Sequence, residues 1–381
     1  MTAATLPLRP RLKPSIDVFP ASDGRIYLYR GGEDDFAIDA DDPVVGELLA
    51  SLTGELSADE LADKLAADDH ARGDEVRAAI AQLHDIGVIE DAASDLVLPE
   101  RERERYERQL RYFSDVGPPR AARADHQRRL ADARVVVLGL GGLGGWTAYA
   151  LACTGIGRID AVDADVVELS NLNRQILYRE ADLGAPKAQA AERTIRAFNS
   201  EIDFGAEQRE LRGVADVREV VAGADFVVDA VDRPVHLIER WVNAACFAEG
   251  VPYIMMSQFP PLVRVGPTFV PGVTGCYACQ EQEWRESFPL FDELVEHRRR
   301  HECPAASLGP ACGLIGSQVA LDVFHHLTGV CEPASLGAAL VVDLRTLTVA
   351  REPVTRRADC RVCAQRVAKR GCVGTAAAVA R

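Results

Sequence analysis

Short apolar runs alternate with amphipathic stretches through residues 133–233. VVVLGL, IDAVDAD and FVVDAVD read as three strands, and the stretches between them read as helices. That alternation is the pattern of a parallel sheet with crossover connections. Past Pro252, the runs YIMMSQ and LVRVGPTFV predict further strands, followed by a polar 280–312 region. A helix of small residues over about 313–328 and a hairpin over 339–353 come next.

The first hundred residues follow a different pattern. Residues 1–14, rich in Pro and basic residues, read as a loose arm. RIYLYR (25–30) alternates between turn signals and predicts a strand, one of two or three between Asp17 and Asp39. Val44, Val45, Leu48, Leu49 and Leu52 then fall on one helical face. Ser57-x-x-Glu60 is a capping box for a second helix through Leu61 and Leu65. A third helix from about Asp74 places Val76, Ile80 and Leu83 on one side. The fold expected is therefore α/β: a Rossmann-like mixed sheet with helices on both faces, preceded by a small winged-helix-like α+β module. The boundaries are 1–98 for the module, 99–131 for a charged helical connector and 132–381 for the sheet domain.

Charge sharpens the division. The formal net charge of the 381 residues is −15. Residues 1–100 hold 8 Lys and Arg against 22 Asp and Glu and so carry −14 of it. Such a module repels phosphate backbones, which argues against nucleic acid as a partner. No apolar run approaches the ~18–20 residues that span a bilayer. The N-terminus has no apolar signal core. A cytoplasmic protein without membrane contact is expected, in which cysteines serve as thiols or metal ligands.

The first chemical motif is the turn G-x-G-x-x-G, Gly139, Gly141 and Gly144, with Gly142 inside it. Glycines permit close backbone approach to phosphate at a helix N-terminus. Asp163, 19 residues beyond Gly144, stands where a carboxylate can meet ribose hydroxyls. Alone, these features suit a nicotinamide dinucleotide equally well, or a turn needed only for packing. The stretch beyond supplies Asn171, Arg174, Gln175 and Lys187, and Asp229 and Asp232 end the next strand. Two cations and a carboxylate at strand ends suit a triphosphate with Mg²⁺, the Asp holding the metal. A solvated loop is the plain alternative.

Together GLGGLG, Asp163-Ala-Asp165, SNLNRQ, Lys187 of GAPK and Asp232 resemble the ubiquitin-activating-like adenylyltransferases of the ThiF, MoeB and MccB type. YERQ (106–109) resembles that family's R-Y-x-R-Q element, and the likeness covers about residues 104–365. It implies that Asp163 binds ribose, Arg174 and Lys187 bind phosphates, and Asp232 holds Mg²⁺. It also implies a homodimer in which Arg108 reaches the partner subunit's ATP. The expected reaction joins AMP to a C-terminal carboxylate and releases pyrophosphate. Val231-Asp232-Arg233-Pro234 departs from the family's common T-D-N, which puts the fine handling of the acyl group or pyrophosphate in question. The chain shows no rhodanese-like extension, so onward sulfur transfer is not expected of it.

Cys276-x-x-Cys279 and Cys360-x-x-Cys363 offer four thiolates, the ligand set of a closed, structural Zn²⁺ site. The 80 residues between the pairs exceed common ribbon spacing, so a redox pair or two unrelated pairs are the alternatives. The family resemblance has pairs at both places. Cys303 and Cys312 lie near the region where ubiquitin-type relatives carry a thioester cysteine, but the reading adopted is that neither is catalytic. Cys153 and Cys246 are expected in the core, and Cys331 and Cys372 carry no pattern. The run Arg298-Arg299-Arg300-His301 reads as a solvated face or as a lip for a substrate carboxylate. His325 and His326 read as structural or surface residues rather than ligands.

The N-terminal order of strands and helices resembles the PqqD-like modules of enzymes that modify ribosomally made peptides. Those modules bind a leader peptide as an added strand, and RIYLYR with the Val76–Leu83 helix is the expected place. The reading is an ATP-dependent enzyme that adenylates a precursor peptide, with downstream modifying enzymes as further partners. Its rivals are an activator of a Gly-Gly sulfur carrier, a non-catalytic peptide-presenting protein and a nicotinamide dehydrogenase.

Overall fold

The computed structural model describes residues 6–31, 36–39, 42–66, 69–301 and 306–364. The chain divides into two compact units, one ending at Arg128 and one beginning at Arg129.

The first unit opens with β1 (Pro10–Leu12), β2 (Asp17–Pro20), β3 (Arg25–Tyr29) and β4 (Phe36–Asp39). The helices α1 (Pro43–Ser51), α2 (Ala58–Ala66) and α3 (His70–Asp85) precede β5 (Ile89–Asp91). Its core is Leu28 of β3 packed with Leu48, Leu61, Val76, Ile80 and Ile89. The α2 start is the predicted capping box: Ser57 N donates to Glu60 Oε2 at 2.7 Å, and Glu60 N donates to Ser57 Oγ at 3.2 Å. The helix α3 begins earlier than Asp74 because Asp69 accepts from the amides of Ala71 and Arg72.

Two expectations change here. The arm is not loose throughout, since β1 pairs antiparallel with β5. RIYLYR is the central strand of the β2-β3-β4 sheet, hydrogen-bonded on both sides, and has no edge left for a peptide. Alternation showed that this segment is a strand, but pattern alone does not rank strands within a sheet.

The connector folds as α4 (Glu100–Arg105), α5 (Glu107–Val116) and α6 (Arg123–Asp132). Arg11 on β1 pairs with Glu90 at 2.5 Å and Asp95 at 2.9 Å. Arg123 at the start of α6 meets the same two carboxylates at 3.2 and 2.6 Å. Four alternating charges, all largely buried, thus tie the first strand, residues 90–95 and the connector together.

The second unit holds one mixed eight-stranded sheet. In chain order its elements begin β6 (Arg134–Leu138), α7 (Gly142–Thr154), β7 (Arg158–Val162), α8 (Lys187–Phe198) and β8 (Asp203–Glu207). There follow α9 (Val214–Val221), β9 (Phe226–Asp229), α10 (Ile238–Glu249), β10 (Tyr253–Phe259) and β11 (Leu262–Phe269). The unit closes with α11 (Tyr277–Ser287), α12 (Phe291–Arg300), α13 (Gly309–Thr328), β12 (Ala338–Asp343) and β13 (Thr348–Pro353). The sheet order is β13-β12-β11-β10-β9-β6-β7-β8, parallel from β10 to β8 and antiparallel from β10 to β13.

All of Val135–Leu138 is buried, because a central parallel strand is covered on both faces. Val136 and Leu138 pack with Val217, Val221, Val242 and Phe247, so α9 and α10 cover that face. The strand β8, at the sheet edge, carries too weak an apolar signal for the sequence pattern to predict it. The polar 280–312 region contains α11 and α12. Cys153 on α7 is exposed, contrary to expectation, whereas Cys246 is buried. The helix α13 lies close against α7: a Cβ on Gly316 would stand 2.6 Å from Trp146 Cβ. No helix among the described residues is long and apolar enough to cross a membrane.

Candidate nucleotide and metal sites

The sheet runs outward in both directions from β6, with β7 on one side and β9 on the other. The crevice beyond the strand ends at such a reversal is where α/β folds bind ligands. The β6–α7 turn lies there. Gly139 has φ +89°, a left-handed conformation, and a Cβ would stand 2.8 Å from Ala230 O. A Cβ on Gly144 would fall 1.9 Å from Gly139 O, so that glycine lets the helix close on the turn. Gly141 differs. A Cβ there would have only Gln175 Nε2 near it, at 4.0 Å, leaving room for another group against the backbone.

Asp163, directly after β7, fixes this turn. Its carboxylate accepts from Leu140 N at 2.7 Å and Asp165 N at 2.9 Å. Burial raises its pKa, and the nearby Lys187 charge opposes the rise. The Tyr178 hydroxyl donates to Leu140 O at 2.8 Å, a support that no sequence motif signalled. Lys187 is the first residue of α8, and its buried ammonium pairs with Asp165 at 2.7 Å. Arg174 lies over the turn. Its guanidinium donates to Ser170 O and Asn173 Oδ1, and its Cγ would be 3.4 Å from a Gly142 Cβ. Gln175 is buried and its Oε1 has no partner. Asn171 serves the local backbone, its Oδ1 accepting from Glu168 N at 3.1 Å.

The loop between β9 and α10 completes this side. Asp232 is exposed and makes no ion pair among the described residues. Asp229 is buried, and burial, with the nearby Glu239 charge, pushes its pKa far up against the weaker pull of the Val231 amide. Burial also pushes Glu239, in the first turn of α10, up to about 7. The structure therefore brings Gly139–Gly144, Asp163, Asp165, Arg174, Gln175 and Lys187 into one neighbourhood, and Ala230 joins the Asp232 loop to it. Arg108 belongs to the first unit, on α5, with its side chain 87 % exposed beside Glu107. An open position at Gly141, an orphaned amide oxygen and an unpaired carboxylate fit a nucleotide and its divalent cation. Gly139–Gly144 would hold phosphate and Asp232 the cation.

Cys312, expected to be non-catalytic, stands beside this turn, a placement no motif signals. Its Sγ would be 2.8 Å from a Gly142 Cβ, and Ser307 Oγ lies 3.3 Å from it. Cys303 and Cys372 fall outside the described residues. His326 is structural as expected: it stacks edge-on against Phe226 at 5.1 Å, and burial lowers its pKa to about 4.

The cysteine pairs meet. Sγ separations are 3.9 Å for Cys276–Cys279, 3.6 Å for Cys276–Cys360 and 3.4 Å for Cys279–Cys363. All four sulfurs lie within 4.8 Å of one another. Tetrahedral Zn–S bonds would place sulfurs roughly 3.8 Å apart, so the cage suits structural zinc. Hydrogen bonding to Cys276 lowers the pKa of Cys279, while that of Cys276 itself is driven up. Thiols this crowded cannot all ionise without a cation among them.

A glycine turn at the reversal of a Rossmann-like sheet, with acidic and basic groups at the strand ends, defines a nucleotide-dependent α/β enzyme. Residues 106–362 match the ThiF family, and the chain belongs to it. It is an ATP-using adenylyltransferase of that family. The chain is 34% identical to the SAMP-activating enzyme E1 of Haloferax volcanii, over 71% of this chain and 92% of that one. It is 30% identical to the molybdopterin-synthase adenylyltransferase of Escherichia coli, over 70% and 99%. Among solved structures, E. coli MccB with succinimide matches at TM-score 0.74 and 25% identity, over 94% of this chain and all of that one. MccB crystallised with its peptide MccA and the nucleotide analogue AMPCPP matches at TM-score 0.71 and 24% identity, over 93% and 100%.

Proposed function

We propose that this protein adenylates the C-terminal carboxylate of a ribosomally made precursor peptide. In that reaction a carboxylate oxygen attacks the α-phosphorus of ATP, the α–β phosphoanhydride breaks and pyrophosphate leaves. Arg174 and Lys187 stabilise the phosphoryl charge, Asp232 holds Mg²⁺, Asp163 sets the turn and faces the ribose, and Arg108 acts across a homodimer. Cationic groups placed where charge develops are the main source of rate in such transfers. When bound, Mg²⁺ neutralises the phosphate oxygens.

One observation carries the peptide reading. The MccB likeness extends over 93–94% of the chain and so takes in the N-terminal unit, while the sulfur carrier protein adenylyltransferases match 60–69% of it. The solved relatives include MccB with its peptide MccA. The acidic first unit offers β2 and β4 as sheet edges, with β2 exposed at every residue. An added leader strand fits an edge, not the central RIYLYR.

A second reading, activation of a Gly-Gly sulfur carrier, is favoured by the identity to adenylyltransferases of that kind. The deciding experiment mixes purified protein with ATP, Mg²⁺ and either candidate precursor peptides encoded beside its gene or a Gly-Gly carrier. Pyrophosphate release and an AMP-mass adduct on the peptide alone are expected. Release with the carrier alone overturns the peptide reading.

A further inference from the structure

The loop that carries Asp232 is not held by the sheet alone. Ala230 N donates to Leu138 O at 2.9 Å, which anchors its beginning. Its other end is held by α11 and α12, a segment that leaves the sheet after β11 and comes back over it. His236 adopts φ +57°, a left-handed conformation uncommon for a residue with a side chain. Its Nδ1 is hydrogen-bonded to the Tyr277 hydroxyl of α11 at 2.9 Å. Its ring meets Phe291 of α12 edge-on at 5.6 Å. Next to it, Arg299 Nε of α12 donates to Val235 O at 3.1 Å. Arg299 Nη2 is buried without a partner, and the bond to Val235 is the hydrogen bond this guanidinium makes among the described residues. Arg298 stacks over Phe259 at 5.5 Å and Arg300 pairs with Glu296 at 2.8 Å. The basic run therefore divides into separate tasks, and Arg299 is its member on the loop.

Tyr277 is itself fixed. Its amide donates to Asn243 Oδ1 at 3.1 Å, and the Tyr253 hydroxyl donates to the same oxygen at 2.9 Å. A fixed tyrosine on one side and a fixed arginine on the other hold residues 235 and 236 in a conformation the chain would seldom adopt unaided. Asp232 lies three residues upstream on a loop pinned at both ends.

We infer that His236 and Arg299 are positioning residues that aim Asp232 at the nucleotide's cation, making cation affinity depend on the α11–α12 segment. The inference rests on the proposed role of Asp232. It predicts that loosening the loop lowers affinity for the cation while leaving the nucleotide contacts of the glycine turn intact.

The test needs no peptide. Free and bound Mn²⁺ are measured by EPR with the full-length protein and α,β-methylene-ATP, alongside analogue binding without metal. Asp232→Asn is expected to weaken Mn²⁺ binding at least about tenfold, by loss of a charged ligand. Arg299→Met and His236→Ala are each expected to weaken it about three- to tenfold, as for one lost hydrogen bond. Arg299→Lys, which keeps a donor, should recover most of the loss, and metal-free analogue affinity should stay within about twofold throughout. If Asp232→Asn leaves Mn²⁺ binding unchanged, the metal role of Asp232 fails. If Asp232→Asn weakens binding while folded Arg299→Met and His236→Ala do not, the positioning inference is overturned. Should either variant fail to fold, Tyr277→Phe decides: unchanged Mn²⁺ affinity counts against the inference, and a drop with unchanged zinc content supports it.

Discussion

The cysteine cage and the crevice at the glycine turn leave their polar atoms in opposite states. In the cage each sulfur lies within 4 Å of another, and three of the four cysteines are buried. In the crevice Gln175 Oε1 is buried without a partner, while Asp232 is exposed. Buried polar atoms are normally satisfied, and each exception asks for an explanation. A resident ion needs a closed set of ligands. A site that loads and releases nucleotide keeps unused bonding capacity for the moment of binding.

That contrast can be broken in graded steps. The largest effect falls on turnover. Lys187→Ala should lower the rate of pyrophosphate release about 10²–10³-fold, with zinc content by atomic absorption unchanged; near-normal release removes Lys187 from the phosphate site. Next is the cage: Cys363→Ser should cut bound zinc and lower Tm by at least about 5 °C, as for ~2 kcal/mol or more. Equal Tm and zinc content would mean that the cage is not a zinc site. Third is a pair of glycines. Gly144→Ala should destabilise by about 1–3 kcal/mol through overpacking, seen in urea unfolding. Gly141→Ala, in open space, should leave stability unchanged and weaken ATP binding. If the two behave alike, the turn is a packing device and nothing more.

The smallest effect is in pH. Glu239 has its folded pKa raised to about 7 by burial. Its contribution is therefore fully present below its unfolded value, near ~4.3, and is lost as pH rises through about 7. Glu239→Gln should remove that loss, so its Tm relative to the parent should improve between pH 5 and pH 8. A parallel decline in both proteins would place the titration elsewhere.

Much of the sheet domain was legible because its signals are local. VVVL is apolar throughout, as a strand covered on both faces must be, and the glycine pattern follows it directly. The cysteine cage was legible from two short spacings. The rest depends on assembly. Nothing in RIYLYR says that strands pair on both its sides. The edge strand β8 buries little and so has little pattern to show. Cys312 reaches the turn only because α13 lies close on α7. His236, Tyr277 and Arg299 are separated by 41 and 22 positions, and no spacing rule connects a hydroxyl, an imidazole and a carbonyl brought together by a returning helix.

The alternating charges of Arg11, Glu90, Asp95 and Arg123 bear on how this first unit could travel. Two of the four come from the strands and their sequel, one from the arm and one from the connector. A cut after residue 98 would remove Arg123 and leave two buried carboxylates sharing one guanidinium, a break of the kind that costs ~3–5 kcal/mol. A cut near Arg128 keeps the set whole. Anyone grafting this unit onto another enzyme should carry the connector helices with it, and any recombination that borrowed the unit intact would have had to do the same.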